Sequence, residues 1–266
     1  MNKKINVTYF RKKKDEGKKI IALTAYDAPT AALAENCGVE LILVGDSLGM
    51  AVLGYDTTIP VTLEQSLHHC SAVRRGAENA FIVGDMPFMT YQVSIEQALL
   101  NAARYLQEAG VDAVKIEGGA DIAPTVEKLV SAGVPVMGHI GLLPQSVMTA
   151  GGYKIAGKTA EQAEQLIKDA KALQSAGVFS IVLEGIPKEV AKKVTESVDV
   201  PTIGIGAGIH CDGQIQVVND LLGLFTSFIP KHAKRYVNLG EQIQTAFSDY
   251  VKEVQEGEFP TDSNSF

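Results

Sequence analysis

The chain holds 266 residues, 46% of them hydrophobic and 21% charged, a length at which an α/β barrel of about 250 residues folds as one domain. Its net charge of −7 is uneven: the first twenty residues carry eight Lys or Arg, and the rest of the chain has 16 basic against 29 acidic side chains. So acidic a body repels nucleic acid and anionic lipid, no tract reaches the roughly 18 apolar residues of a membrane span, and the composition is neither collagenous nor disordered.

The basic N-terminus, about residues 1–19, lacks the apolar region of a secretory signal. It reads as a helical segment with a solvated face, an anion-binding arm being the alternative. Beyond it, short β-branched apolar runs recur: Lys18–Thr24, Glu40–Gly45, Ala80–Gly84, Asp112–Ile116, Val134–Gly138, Val178–Leu183, Val200–Ile205 and Leu222–Thr226. They are too continuously apolar for a sheet wetted on one face, as buried parallel strands should be. Amphipathic helices lie between them. Ser94 with Gln97, and Thr159 with Gln162, have capping-box spacing ahead of periodic apolar residues. Gly38, Gly110, Gly133 and Gly177 each precede a Val that opens a strand, the place of a left-handed helix C-cap. Eightfold alternation predicts a (β/α)8 TIM barrel in a single domain over residues 1–266, with a loose tail at about 257–266. A doubly wound open sheet is the alternative. Cys37, Cys70 and Cys211 are odd in number and form no CxxC pair, which points to a reducing, cytoplasmic setting and away from zinc.

Active sites of α/β barrels sit at the C-terminal strand ends. There the sequence places Asp46-Ser47, Asp85, Lys115 with Glu117, His139 and Glu184. Charges directly after apolar runs are costly to bury unless they pair or bind a cation. Lys115 and Glu117, two apart in a strand, share a face. Several carboxylates in one mouth repel one another, and a hard cation such as Mg²⁺ relieves this through one or two of them. Asp46 and Asp85 are the best pair, with Glu117 next, directly or through water. His139 reads as a ligand, a substrate hydrogen-bond donor or a satisfied barrel residue; His68 and His69 read as structural. Glu184, behind Ile181-Val182-Leu183, has the apolar setting that raises a carboxyl pKa and makes a base. Gly204–Gly208 ends the seventh strand, where phosphate can bind on backbone N–H groups, though glycines also permit close packing.

Val44-Gly-Asp-Ser-Leu-Gly-Met50, Asp85-Met-Pro-Phe88, Val114-Lys-Ile-Glu-Gly-Gly119, Gly138-His-Ile-Gly-Leu142, Pro144-Gln-Ser146, Gly151-Gly-Tyr-Lys154 and Ile203-Gly-Ile-Gly-Ala-Gly208 together resemble the motifs of the 3-methyl-2-oxobutanoate hydroxymethyltransferase family. The likeness runs from about Thr24 to Lys231, with Leu143 and His232 departing from an expected Thr and Phe. It implies a barrel enzyme of pantothenate biosynthesis that uses Mg²⁺, with 5,10-methylenetetrahydrofolate as co-substrate. By the same resemblance Asp46, Asp85 and Glu117 form the metal site. Asp46, Ser47, Asp85 and Lys115 contact the oxo acid, and Glu184 is the proton acceptor. The family also implies a homodecamer. Small-molecule oxo acid and folate are then the partners, with no nucleic acid and no membrane. The expected chemistry is a Mg²⁺-stabilised enolate, with His139 beside the substrate. A Schiff-base aldolase with Lys115 as nucleophile, a phosphate-binding lyase using Gly204–Gly208, and a non-catalytic ligand-binding barrel are the alternatives.

Overall fold

The structure, a computed structural model, describes residues 4–225 and 230–266. A closed barrel of eight parallel strands runs in chain order: β1 (Ile20–Thr24), β2 (Leu41–Val44), β3 (Phe81–Asp85), β4 (Ala113–Glu117), β5 (Val136–Gly141), β6 (Ser180–Glu184), β7 (Thr202–Ile205) and β8 (Gly213–Gln214). The helices interleave with them. They are α1 (Val7–Asp15), α2 (Ala28–Asn36), α3 (Leu48–Ala51), α4 (Leu63–Gly76), α5 (Ile95–Gln107), α6 (Ala123–Ser131), α7 (Val147–Ala150), α8 (Ala160–Ser175), α9 (Lys188–Ser197), α10 (Val218–Leu222) and α11 (Leu239–Glu256). The (β/α)8 TIM barrel expected from the alternation is the fold. The chain forms two compact units, one ending at Gln216 and holding all eight strands, the other running from Val217 to Phe266 with α10 and α11. No described helix is long and apolar enough to cross a membrane.

Seven strands lie on the expected runs, within a few residues at each end. The eighth does not. Leu222 ends α10, Gly223 caps it at φ 66°, Leu224 and Phe225 are irregular, and Thr226 lies outside the described residues. The closing strand is Gly213–Gln214, paired as Ile20↔Gly213 and Ile21↔Gln214 on one side and Ile203↔Gly213 and Gly204↔Gln214 on the other. Two residues carry no apolar run to read. At Gly213 a Cβ would lie 2.6 Å from the Ile203 side chain and 2.7 Å from the Ile20 carbonyl oxygen, so close packing selects glycine here, not a β-branched residue.

Side chains alternate along a strand. Ile20 and Ala22, Leu41 and Leu43, Phe81 and Val83, Ala113, Met137, Val182 and Ile203 share the apolar interior with Ile215. Two residues further toward the C-terminal ends, the same inward phase reaches Asp85, Lys115, His139 and Glu184, with Glu117 one step beyond Lys115. The barrel is thus apolar below and charged above. The helix ends follow local rules. Gly38, Gly110, Gly133 and Gly177 all take positive φ, Ser94 and Thr159 accept from the backbone N–H of Gln97 and Gln162, and the fully reciprocal capping box is Thr62 with Gln65.

The N-terminal segment does form a helix, but its basic face is not simply solvated. Phe10, 1% exposed, enters the lower core in edge contact with Phe81. Lys13 pairs with Glu40 at 2.5 Å. Lys14 Nζ donates to the carbonyls of Thr195, Val198 and Val200 and pairs with Asp212 at 3.0 Å. Lys4 pairs with Asp112 at 2.7 Å. These lysines seat α1 at the N-terminal end of the barrel. Phe10→Ala should therefore cost about 3–5 kcal/mol, as truncation of buried aromatics does. Denaturant unfolding checks this, and a loss below about 1 kcal/mol would mean that Phe10 is not core.

Candidate active site

Parallel pairing sets the charged residues side by side: Asp85 lies abreast of Lys115, Glu117 of His139, and Gly141 of Glu184. Asp46 and Ser47 follow β2, with Ser47 as the residue before α3. Asp46, Asp85, Lys115, Glu117 and His139 are all buried. Lys115 Nζ stands 2.8 Å from Asp85 Oδ1, 3.5 Å from Glu117 Oε1 and 3.3 Å from His139 Nδ1. His139 Nδ1 is 3.3 Å from Glu117 Oε1, and its Nε2 is 3.2 Å from Glu184 Oε2. The Asp46 N–H donates to Asp85 Oδ2 at 2.9 Å. Ser47 Oγ meets the Tyr26 hydroxyl at 2.8 Å. Every residue expected at the site is in this one mouth.

The charges act on one another. Burial, then the charges of Asp85 and Glu117, pushes the Asp46 carboxyl well above the usual carboxylate range. Burial also raises Asp85, against the pull of Lys115. For Glu117 burial is outweighed by Lys115 and His139, and its carboxyl is held below the usual range. Burial alone would lower Lys115, but Asp85, Glu117 and Asp46 together raise it, so the amine stays protonated. His139 is pushed up to about 9: burial and Lys115 work downward, and Glu117 and Glu184 overcome them. Glu184 differs from the expectation of an apolar setting. Its side chain is 21% exposed and its close polar neighbour is the His139 ring.

With all groups ionised, four carboxylates face one ammonium and one imidazolium, a surplus of two negative charges. Asp85 Oδ1 is buried against the Lys115 ammonium at 2.8 Å, and Asp46 accepts a hydrogen bond only at Oδ2. A hard carboxylate oxygen left without a hydrogen bond, as at Asp46, suits an oxygen-preferring divalent cation, which typically keeps several waters. Among the described residues no group of three or more His, Cys, Asp or Glu is placed to hold a metal ion. Glu117 is committed elsewhere: Oε2 accepts from the Gln145 N–H, and Oε1 faces Lys115 and His139.

Residues not expected at the site complete it. Tyr91 and Gln145 are buried polar residues of the loops after β3 and β5. Tyr153, whose phenol is raised by burial and by the charges of Asp46, Glu184 and Glu117, brings the 151–158 loop to the same mouth. Beside Gly141 a cavity of about 390 Å³ is lined by Leu143, Ser146, Tyr153, Ile155 and Leu166. Gly141 has φ 106°, and a Cβ there would strike the Glu184 carbonyl oxygen, so the chain can pass Glu184 only as glycine. Gly204 and Gly208 abut Cys211 and Lys188, which accounts for those two glycines by close packing. His69 Nδ1 lies 2.7 Å from the Tyr26 carbonyl oxygen, a structural contact.

The imidazole predicts a pH dependence in chelator-treated protein. A folded pKa raised to about 9 against roughly 6.5 in the unfolded chain stabilises the fold fully below about pH 6.5, and that contribution is lost as pH rises through 9. NMR titration of the His139 ring nitrogens should show an imidazolium at pH 7 and deprotonation near 9. A neutral ring at pH 7 would break the proposed link to Glu117 and Glu184.

The profile of a family described as Ketopantoate hydroxymethyltransferase matches residues 4–262. A protein named 3-methyl-2-oxobutanoate hydroxymethyltransferase from Carboxydothermus hydrogenoformans is 54% identical, covering 99% of this chain and 95% of its own. One of the same name from Thermoanaerobacter pseudethanolicus is 54% identical over 100% and 97%. Among solved structures, a phosphonopyruvate hydrolase complexed with oxalate and Mg²⁺ superposes with TM-score 0.63 at 12% identity, covering 98% of this chain and 93% of its own. A 2,3-dimethylmalate lyase of the PEP mutase/isocitrate lyase superfamily gives 0.62 at 17%, over 98% and 91%. At such identities these two share the fold alone. The sequence relatives decide more: this chain is an enzyme of the hydroxymethyltransferase class and belongs to the ketopantoate hydroxymethyltransferase family.

Proposed function

We propose that the chain transfers a hydroxymethyl group from 5,10-methylenetetrahydrofolate to 3-methyl-2-oxobutanoate, giving 2-dehydropantoate and tetrahydrofolate in pantothenate biosynthesis by way of an enolate. The observation that carries the reading is the polarity of the mouth. A protonated Lys115 and the Asp46–Asp85 pair lie on one side, and Glu184 stands across His139 on the other. An α-oxo acid has matching polarity, with carboxylate and keto oxygens at one end and an acidic C3–H at the other.

Lys115 and Ser47 would receive the substrate carboxylate, a compact ammonium being suited to it. Asp46 and Asp85 would hold Mg²⁺, with Glu117 acting through water; when bound, the cation supplies Lewis-acid stabilisation of negative charge at the keto oxygen, worth several kcal/mol. Glu184 removes the C3 proton. His139 engages only its Oε2, so Oε1 is left to accept the proton. The His139 imidazolium, backed by Glu117, keeps Glu184 oriented and lies close enough to the substrate to contact it. The carbanion carbon forms a bond to the one-carbon unit as the folate nitrogen is released, and a water supplies the hydroxyl oxygen. The cavity beside Gly141 is the seat we assign to the folate. Asp85, Glu117 and Asp46 favour the protonated amine of Lys115, which disfavours its use as a Schiff-base nucleophile.

The same reading makes the enzyme cytoplasmic and a homodecamer. The free thiols of Cys37, Cys70 and Cys211 suit a reducing compartment. Phe247, Tyr250, Val251 and Val254 form an exposed stripe on α11, at the i, i+3, i+4, i+7 spacing by which helices pair. Phe247→Glu with Val251→Glu should shift the light-scattering mass downward. An unchanged mass would remove α11 from the interface.

The central test needs no folate: exchange of the C3 hydrogen of 3-methyl-2-oxobutanoate with deuterated water. Glu184→Gln should slow exchange by roughly 10²-fold or more, since it cannot accept the proton, with oxo-acid binding nearly unchanged. Exchange at the wild-type rate would transfer the base role elsewhere. Asp46→Ala and Asp85→Ala should abolish exchange as excess chelator does, and full activity in chelator would discard the metal. Borohydride with substrate should leave the mass of Lys115 unchanged; an adduct would establish the Schiff-base route.

A further inference from the structure

Gln145 carries no charge and sits on neither a strand nor a long helix, yet it hydrogen-bonds both Asp46 and Glu117 of the charged mouth. It lies in the turn Pro144–Ser146 after β5 and is 5% exposed. Its side-chain Nε2 donates to Asp46 Oδ2 at 3.0 Å and to the Met86 carbonyl at 3.0 Å. Its Oε1 accepts from the Tyr91 hydroxyl at 2.9 Å and from Gln92 Nε2 at 3.1 Å. Its backbone N–H donates to Glu117 Oε2 at 3.2 Å. One turn residue thus joins the loops after β2, β3 and β5 to the end of β4.

The amide is fully used. Both N–H donors and both oxygen lone pairs have partners, which meets the cost of burying it. Its orientation is fixed as well, because a flipped amide would set its oxygen against the Asp46 carboxylate and the Met86 carbonyl. Tyr91 braces it from behind and is itself fixed, accepting the Glu117 N–H at 3.0 Å. The effect falls on Asp46. Its Oδ2 is occupied by Gln145, and no hydrogen bond reaches Oδ1. Asp85 differs, with Oδ2 taken by the Asp46 N–H and Oδ1 set against the Lys115 ammonium at 2.8 Å.

We propose that Gln145, braced by Tyr91, is a positioning residue for the divalent cation: it clamps one oxygen of Asp46 so that the other is presented, and it holds Glu117 in register with Asp46 through the same turn. The proposal rests on the metal reading above. Partners that orient ligating carboxylates typically change metal affinity by 10–100-fold when lost.

The test measures Mn²⁺ alone, by EPR, on the folded full-length protein. Gln145→Met keeps the volume and the backbone N–H to Glu117 but removes the side-chain hydrogen bonds to Asp46, Met86, Tyr91 and Gln92. It should bind Mn²⁺ about 10–100-fold more weakly than wild type, with an unchanged circular dichroism spectrum. Tyr91→Phe, which removes the brace and leaves the amide, should show a smaller loss in the same direction. If Gln145→Met folds and binds Mn²⁺ within twofold of wild type, or loses only thermal stability, the positioning role is overturned. If it does not fold, Tyr91→Phe decides, and wild-type affinity there overturns the proposal. Asp46→Asn separates the two levels. Wild-type Mn²⁺ affinity in that variant sinks the metal reading and this proposal together, whereas a loss there with none in the Gln145 and Tyr91 variants sinks the clamp alone.

Discussion

The buried ammonium of Lys115 is the interaction on which the mouth of this barrel depends. It reaches Asp85 at 2.8 Å and Glu117 at 3.5 Å, and all three groups are withdrawn from water. Isolated charges in such a setting would neutralise rather than stay ionised. Around Lys115 they divide into two kinds. Glu117 is held ionised by Lys115 and His139, while Asp46, without an ion pair of its own, is driven toward its protonated form. The protein thus keeps one carboxylate as a permanent anion and leaves another in need of a cation. Removing Lys115 would leave a buried anion uncompensated, the costlier way to break such a pair, so its loss should disturb the whole mouth and not substrate contact alone.

How the cluster is reached is a matter of strand phase. Because inward-facing positions recur every second residue, Ala113 leads to Lys115 and Glu117, Val83 to Asp85, Met137 to His139 and Val182 to Glu184. Parallel register then sets neighbouring strands abreast. Backbone geometry alone delivers five ionisable groups to the C-terminal mouth of the barrel. The loops supply Asp46, Ser47, Tyr153 and the neutral clamp, where a neutral donor can fix a carboxylate without adding charge to a crowded site.

This explains which parts of the molecule could be read from sequence. The charged residues were legible because each ends a run of apolar residues, and seven strands were legible because those runs are long enough to have a period. β8 was not, since Gly213 and Gln214 are selected by contact with Ile20 and Ile203 and carry no propensity for a strand. Leu222–Thr226 looked like a strand because apolar residues in a short stretch fit either period, and Leu222 is helical. Tyr91 and Gln145 went unassigned because a neutral polar residue in a loop ordinarily faces water; only the three-dimensional path of the loop buries them. The Pro144-Gln-Ser146 motif was the one available signal for Gln145. Glu184 ends its strand, but its surroundings are not legible along the chain, since its neighbour His139 comes from the adjacent strand.

The seating of α1 has a consequence for the order in which this chain is made. Lys14 precedes its carbonyl partners by 181 to 186 residues, and Phe10 precedes Phe179, which lies 6.0 Å away, by nearly as many. At a synthesis rate of about 5–20 residues per second, α1 leaves the ribosome roughly 10–40 s before the groups that receive it. Phe81 and Glu40, its nearer partners, are made earlier in that interval, but the seat of α1 is complete only with the later groups. The closing pair of β1 with β8 comes later still. The N-terminal helix is therefore among the first segments made and among the last to have its full set of contacts.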